Sequence, residues 1–208
     1  MRFIIFALLA VFLISCMNNN SKVVVMHPDG YYKEVYHVKD DSIRHGMYQR
    51  FYANGVLADS CNFRDNLVNG QRKLFSENGI LEIQETYVDG IFEGPYTTYF
   101  LNGQLKKIQI YKNDQIQGEV KEYYEDGKLK AITQFLDNME NGAFQEYYEN
   151  GNLHWEGFYQ GGDFEQDTLK EFNSDGLLIR KLFCEQGICQ TAWTLENGYK
   201  EVKSLFQN

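Results

Sequence analysis

Apolar and polar residues alternate along this chain in short runs. Asn-Gly, Asp-Gly and Asp-Asn pairs interrupt the runs at fixed intervals. A period of two marks a half-buried strand, and these pairs tolerate the positive φ of tight hairpin turns. Gly46, Gly70, Gly94, Gly118 and Gly142 stand 24 residues apart, and Gly55, Gly79, Gly103, Gly127 and Gly151 repeat the same spacing. Turn signals fall at Asn54-Gly55, Asn78-Gly79, Asn102-Gly103, Asp126-Gly127, Asn150-Gly151 and Asp175-Gly176. A second set follows eleven residues after each glycine, at Asp65-Asn66, Asp89-Gly90, Asn113-Asp114, Asp137-Asn138 and Gly161-Gly162. With similar sites near both ends, about fifteen turns and roughly sixteen strands are predicted. Tight turns permit only an antiparallel meander.

Two-residue loops would set residues equidistant from each turn face to face. The expected pairs at the first set of turns are Tyr52–Leu57, Phe100–Leu105, Tyr124–Leu129 and Tyr148–Leu153, with a weaker Ser76–Leu81. At the second set they are Phe63–Val68, Tyr87–Phe92, Tyr111–Ile116 and Tyr159–Phe164. Phe135–Glu140 breaks the apolar pattern, so a slip or bulge is expected near Met139. A second aromatic row, Phe51, Phe75, Tyr99, Tyr123 and Tyr147, points to the reverse face by alternation. It is interleaved with Lys73, Lys121 and Gln145, and it is the candidate binding stripe. Cys61 is expected on the main apolar face, beside Leu57 and Phe63.

Composition sharpens this picture. The chain of 208 residues carries 15 Tyr, 15 Phe and 18 Gly but only 2 Pro. Tyr and Phe favour pleated, half-exposed surfaces, and scattered Gly marks turns. A formal charge of −9 argues against a nucleic-acid partner, which would call for a basic patch. It argues equally against electrostatic docking on anionic lipid.

The N-terminus has its own pattern. Arg2 precedes an apolar run from Phe3 to Leu13, too short to span a bilayer comfortably and suited to a signal peptide. Leu13-Ile14-Ser15-Cys16 resembles a bacterial lipobox. That resemblance implies cleavage before Cys16, lipid on its thiol and attachment to a bacterial membrane. A plain secretory signal or a short membrane segment is the alternative. Residue 17 is Met, not Asp, so the choice between inner and outer membrane stays open. The expected divisions are a signal peptide over 1–15, a polar tether over 16–22, a repeat array over 23–183 and capping hairpins over 184–208.

The repeated unit resembles the bacterial variant of the MORN repeat, with Asn-Gly-x-Leu and a Gly-x-aromatic start, from residue 29 to about 183. The family implies an all-β, elongated, single-layer twisted antiparallel meander, here of about sixteen short strands built from 24-residue β-hairpins. Many bacterial members are described as antitoxin-like, and eukaryotic ones are mostly scaffolds at membranes. The sixth unit departs from the pattern, gaining one residue and placing Asp167 where Gly is expected. The shortened last unit reads as a cap, which repeat arrays need at their ends.

Cys184 and Cys189 are equidistant from Gln186-Gly187. A facing antiparallel pair lies within disulfide reach, and export permits oxidation. A disulfide is expected; reduced packing cysteines or metal ligands are the alternatives, the last without a CxxC or His pair in support. His27, His37, His45 and His154 lack ligand spacing, so no metal or cofactor is expected. No nucleophile motif, P-loop or dinucleotide fingerprint is present, and a single-layer sheet offers little enclosure for catalysis. The expectation is a non-enzymatic cell-envelope lipoprotein that binds a protein through its aromatic sheet, antitoxin- or immunity-like in one version, with self-association as another. Glycan binding and a passive spacer at the membrane are the alternatives.

Overall fold

The computed structural model describes residues 20–199 except 27, 29, 31 and 163. The lipobox, Cys16, most of the tether and the last nine residues lie outside the described residues. The strands are β1 (Asn20–Met26), β2 (Tyr32–Lys39), β3 (Ile43–Phe51), β4 (Leu57–Arg64), β5 (Leu67–Val68), β6 (Gly70–Phe75), β7 (Leu81–Val88), β8 (Ile91–Phe92) and β9 (Gly94–Tyr99). They continue as β10 (Leu105–Lys112), β11 (Gln115–Tyr123), β12 (Leu129–Leu136), β13 (Met139–Tyr147), β14 (Leu153–Tyr159), β15 (Glu165–Phe172), β16 (Leu178–Glu185), β17 (Ile188–Thr194) and β18 (Gly198–Tyr199). Both β5 and β6 pair with β4, and both β8 and β9 with β7, so these two couples are single strands interrupted once. The 18 segments therefore make sixteen strands. Every pairing is antiparallel and joins neighbours in the chain, giving one open meander.

The two sets of turns differ. At Asp65-Asn66 both residues take positive φ, 53° and 70°, and so do Asn113-Asp114 and Asp137-Asn138. These are two-residue loops of the kind whose twist matches the strands. Phe63–Val68, Tyr87–Phe92 and Tyr111–Ile116 face each other across such loops. At Asn54-Gly55 only the glycine has positive φ, 80°. The Tyr52 N–H donates to Val56 O at 2.8 Å and the Gly55 N–H to Tyr52 O at 2.9 Å. Three residues, not two, make this loop, a type I turn closed by a left-handed glycine. Gly79, Gly103, Gly127, Gly151 and Gly176 close theirs in the same way.

That extra residue corrects the expected register. Leu57 faces Phe51, not Tyr52. Leu105, Leu129 and Leu153 likewise face Tyr99, Tyr123 and Tyr147. Leu81 faces Phe75, not Ser76. A bulge follows each turn, with Ala58 the unpaired residue in the first. The insertion in the sixth unit lengthens the Gly161-Gly162 loop, and Tyr159 faces Glu165 rather than Phe164.

Leu136–Met139 and Phe135–Glu140 are in register, and the bulge expected near Met139 comes directly after them, at residues 141–143 opposite Gln134. It is not special to that unit: a bulge recurs near the first glycine series. His37, Gln109 and Gln134 each stand opposite a stretch of three residues holding Gly46, Gly118 and Gly142. Those glycines have φ of 96°, 75° and 126°, a region costly for most side chains. Asp167 occupies the equivalent place at φ 64°, which its short polar side chain tolerates.

Consecutive turns also bind each other. Asn66 N–H donates to Arg44 O at 2.9 Å while its Oδ1 accepts from the Arg44 N–H at 2.8 Å. Asp114 with Phe92 and Asn138 with Ile116 repeat the exchange. Strands two apart thus meet along one edge. Along the other edge the Tyr52, Tyr124 and Tyr148 hydroxyls donate to Phe75, Tyr147 and Phe172 carbonyls, one unit on. These bonds fix the pitch from unit to unit, as nearest-neighbour contacts do in repeat proteins.

Candidate interaction surface

Directly paired residues share a face. Following the pairs across the sheet traces one row from Gln49 through Ser60, Lys73, Gln84, Thr97, Ile108, Lys121, Ile132, Gln145, Glu156, Lys170 and Lys181 to Trp193. Two residues along each strand lies the aromatic row on this same face. The register adds a leucine to every member: Phe51–Leu57, Phe75–Leu81, Tyr99–Leu105, Tyr123–Leu129 and Tyr147–Leu153. Phe172–Leu178 adds a sixth pair. The candidate stripe is therefore an aromatic–leucine lane beside a polar row rich in Lys and Gln. All twelve lane residues are half-buried. Leu57 and its equivalents leave the face on which alternation had placed them.

The opposite face carries Cys61, paired with Tyr48. Rings cluster here: Tyr87–Phe92 at 4.3 Å, Phe92–Tyr111 at 4.9 Å and Phe144–Tyr159 at 4.3 Å between centroids. Arg44 lies over Tyr36, Tyr48 and Phe63 at 4.9, 5.4 and 5.5 Å. Within this face sits a polar cluster that periodicity did not reveal. Arg72 donates through Nε to Asp59 Oδ1 at 3.1 Å and through Nη2 to Oδ2 at 2.7 Å. Its Nη1 lies 3.6 Å from Glu85, which accepts from the Tyr87 hydroxyl at 3.1 Å. Asp59 and Glu85 are 3 % and 7 % exposed, so they rely on this arginine. Burial, then the Glu85 charge, pushes the Tyr87 phenol up to about 12. The only signal in the sequence was Arg72 standing where Tyr48 and Tyr96 recur.

A concavity of about 680 Å³ opens on the same face, lined by Tyr96, Phe100, Lys107, Gln109, Tyr111 and Glu122 among others. Gln109 Nε2 donates to the Tyr111 hydroxyl at 3.0 Å and Lys107 pairs with Glu122 at 3.3 Å. These groups satisfy one another and present no nucleophile–base pair.

The remaining site residues are placed as follows. Cys184 and Cys189 face each other across Gln186-Gly187 with Cα atoms 4.0 Å apart, and their sulfurs are bonded. Cys61 is a buried free thiol, raised to about 11 chiefly by burial and then by Asp59. His37 Nδ1 lies 3.1 Å from Met47 O, His45 is 3.3 Å from Asp65, and His154 packs on Tyr148. Among the described residues no group of three His, Cys, Asp or Glu side chains is arranged to hold a metal. Gly55, Gly79, Gly103, Gly127 and Gly151 each close a three-residue loop.

The MORN repeat variant model matches five consecutive stretches: 44–65, 68–89, 92–113, 116–137 and 140–160. The chain belongs to the MORN repeat variant family. Each match begins just before the bulge glycine and, in the first four, ends on a two-residue turn, so the MORN unit is the structural unit seen here. No curated protein matches the chain. A MORN array is a repeat scaffold suited to binding.

Proposed function

We propose that this chain is a non-enzymatic cell-envelope lipoprotein, held by lipid on Cys16, that binds another protein through its aromatic–leucine lane. The observation that carries the reading is the lane itself: six cross-strand pairs, half-buried, on a single-layer sheet with nothing packed over it among the described residues. Rigid aromatic side chains supply contact area at low entropic cost, and the neighbouring Lys–Gln row supplies polar partners. The lane repeats every second strand, so a partner can engage several units at once. An antitoxin- or immunity-like role is the form this takes if the partner is a toxin domain.

The test has two arms. Labelled fatty acid should enter the wild-type chain and not Cys16→Ala, which should also leave the membrane fraction. The lipidated chain should retain a stoichiometric protein from envelope extract, and Tyr99→Ser with Tyr123→Ser should abolish retention while the sheet stays folded. Retention on polysaccharide instead would favour a glycan-binding module, and no retention of either would favour a passive spacer.

A further inference from the structure

The sheet's first strand, β1, pairs with β2 in one register over six residue pairs, and with Met26–Tyr32 after a shift, yet buries almost nothing. Val24, Val25 and Met26 are 43 %, 37 % and 47 % exposed. Its other edge has no strand beside it among the described residues. The strand contains no proline, and Lys22 is its single charge. Proteins ordinarily blunt such an edge with charges, proline or a bulge, because its free N–H and C=O groups accept any passing strand. Here the only irregularity falls at the far end, between Val25 and Met26.

We propose that the β1 edge is a self-association site, at which β1 of a second copy of this chain adds antiparallel to form one continuous sheet through both molecules. The sequence of the strand is complementary to itself about Val23. A two-fold axis there sets Val23 against Val23, Lys22 against Val24, Ser21 against Val25 and Asn20 against Met26. No like charges meet, and each Lys22 stem covers a Val24. One β-branched pair, Val23 against Val23, sits at the centre, and cross-strand pairs of this kind stabilise a sheet. The contact is small, so the dimer is weak and reversible, of the transient class of interface. It uses the edge of the sheet and leaves the aromatic–leucine lane free, so it is independent of the function proposed above.

Cross-linking the full chain through Val23→Cys tests this. In the two-fold register residue 23 meets its own copy, at a Cα separation of ~4.5–5.5 Å that a disulfide can bridge. Oxidation should give a dimer band at least several-fold above that of the wild type, which sets the baseline for the other cysteines. Ser60→Cys, in the interior of the sheet, should stay at baseline. Adding Val24→Lys sets Lys22 of each copy against the introduced lysine of the other and should return the yield to baseline. Adding Val24→Glu sets Lys22 of each copy against an introduced carboxylate and should hold or raise it. Circular dichroism confirms that each variant keeps its strands, and residue 24 is exposed enough to accept either change. A baseline yield from folded Val23→Cys overturns the proposal. So does an equal loss with Val24→Lys and Val24→Glu, which would mean an unspecific apolar contact rather than a paired edge.

Discussion

Arg72 holds Asp59 with two nitrogens, at 3.1 and 2.7 Å, across the pair of strands β4 and β6. This is a bidentate pair in which one partner is nearly sealed from water, at 4 % side-chain exposure, and the other is about one-third open, at 31 %. Asp59 and Glu85 together bring two negative charges to one guanidinium. Removing the arginine therefore strands two buried carboxylates. Arg72→Met should lower stability by roughly 3 kcal/mol, the low end of the range for breaking a buried pair. Arg72→Met with Asp59→Leu and Glu85→Leu should recover most of the loss, because apolar replacements leave no charge behind. Urea unfolding monitored by circular dichroism checks both. Equal losses in the single and triple variants would show that the cluster is not the source.

The Asn-Gly turns show why the sequence could be read only in part. Phe51-Tyr52, Tyr123-Tyr124 and Tyr147-Tyr148 each offer two adjacent aromatics. Either member can be set against the leucine beyond the turn and still satisfy apolar pairing. Alternation settled that a strand was present but not which aromatic shared a face with leucine. What decides it is φ at Asn54, whose side chain is occupied elsewhere: Oδ1 accepts from the Val56 N–H at 3.0 Å, and Nδ2 donates to Glu77 O one unit on. That second bond depends on the neighbouring unit and is invisible within one hairpin. Asp65-Asn66 has no such ambiguity, and its pair Phe63–Val68 was legible. The Asp59–Arg72–Glu85 cluster was not, because its members are 13 residues apart and fall at positions that the next unit fills with Ile83, Tyr96 and Gln109, none of them charged.

Glycine replacements should separate backbone strain from crowding. A Cβ at Gly118 would meet nothing within 4 Å, whereas at Gly142 it would lie 2.7 Å from Gln134 Cβ. Both residues have positive φ. Gly118→Ala should therefore show only the left-handed backbone cost of about 1–2 kcal/mol. Gly142→Ala should exceed it, since Gln134 or its strand must shift. Asp167→Gly, at the same place in the sixth unit, should be neutral or slightly stabilising. The ranking is read from chemical denaturation midpoints at equal slope.

The acid and alkaline limits have different owners. Hydrogen bonds from Lys39 and His45 hold the Asp65 carboxyl below its ordinary range, and Lys128 does the same for Asp126. Their contribution is present above the unfolded value near ~3.9 and is lost as pH falls through the lower folded value. Asp65→Asn should accordingly flatten the acid limb of stability against pH, by a modest amount because the pair is exposed. Cys61 acts at the other end. Its thiol is raised to about 11, so the folded state resists ionisation and stability falls as pH rises from about 9 towards 11. Cys61→Ala should remove that part of the alkaline decline. At about pH 8, below the thiol's unperturbed range, a thiol reagent should modify Cys61 only as fast as the sheet opens.

The Cys184–Cys189 bond closes a short loop, with a sequence separation of 5, at the end of the array. Loop-closure entropy for so short a ring amounts to about 2 kcal/mol, and only the last strands benefit from it. Nearest-neighbour coupling in a repeat array confines the consequence. Reduction should accelerate amide exchange in β16, β17 and β18 and leave β9 to β12 unchanged. Cys184 is fully buried, so its free thiol would still pack against the preceding unit through its pairing with Asp167, the residue that takes the bulge glycine's place in the sixth unit. Cys184→Ser should therefore be worse than reduction, because it seats a hydroxyl where the structure offers an apolar site. Hydrogen exchange on the reduced wild type and on the Cys184→Ser variant distinguishes a local staple from a bond that holds the whole sheet: protection lost as far back as β9 would mean the latter.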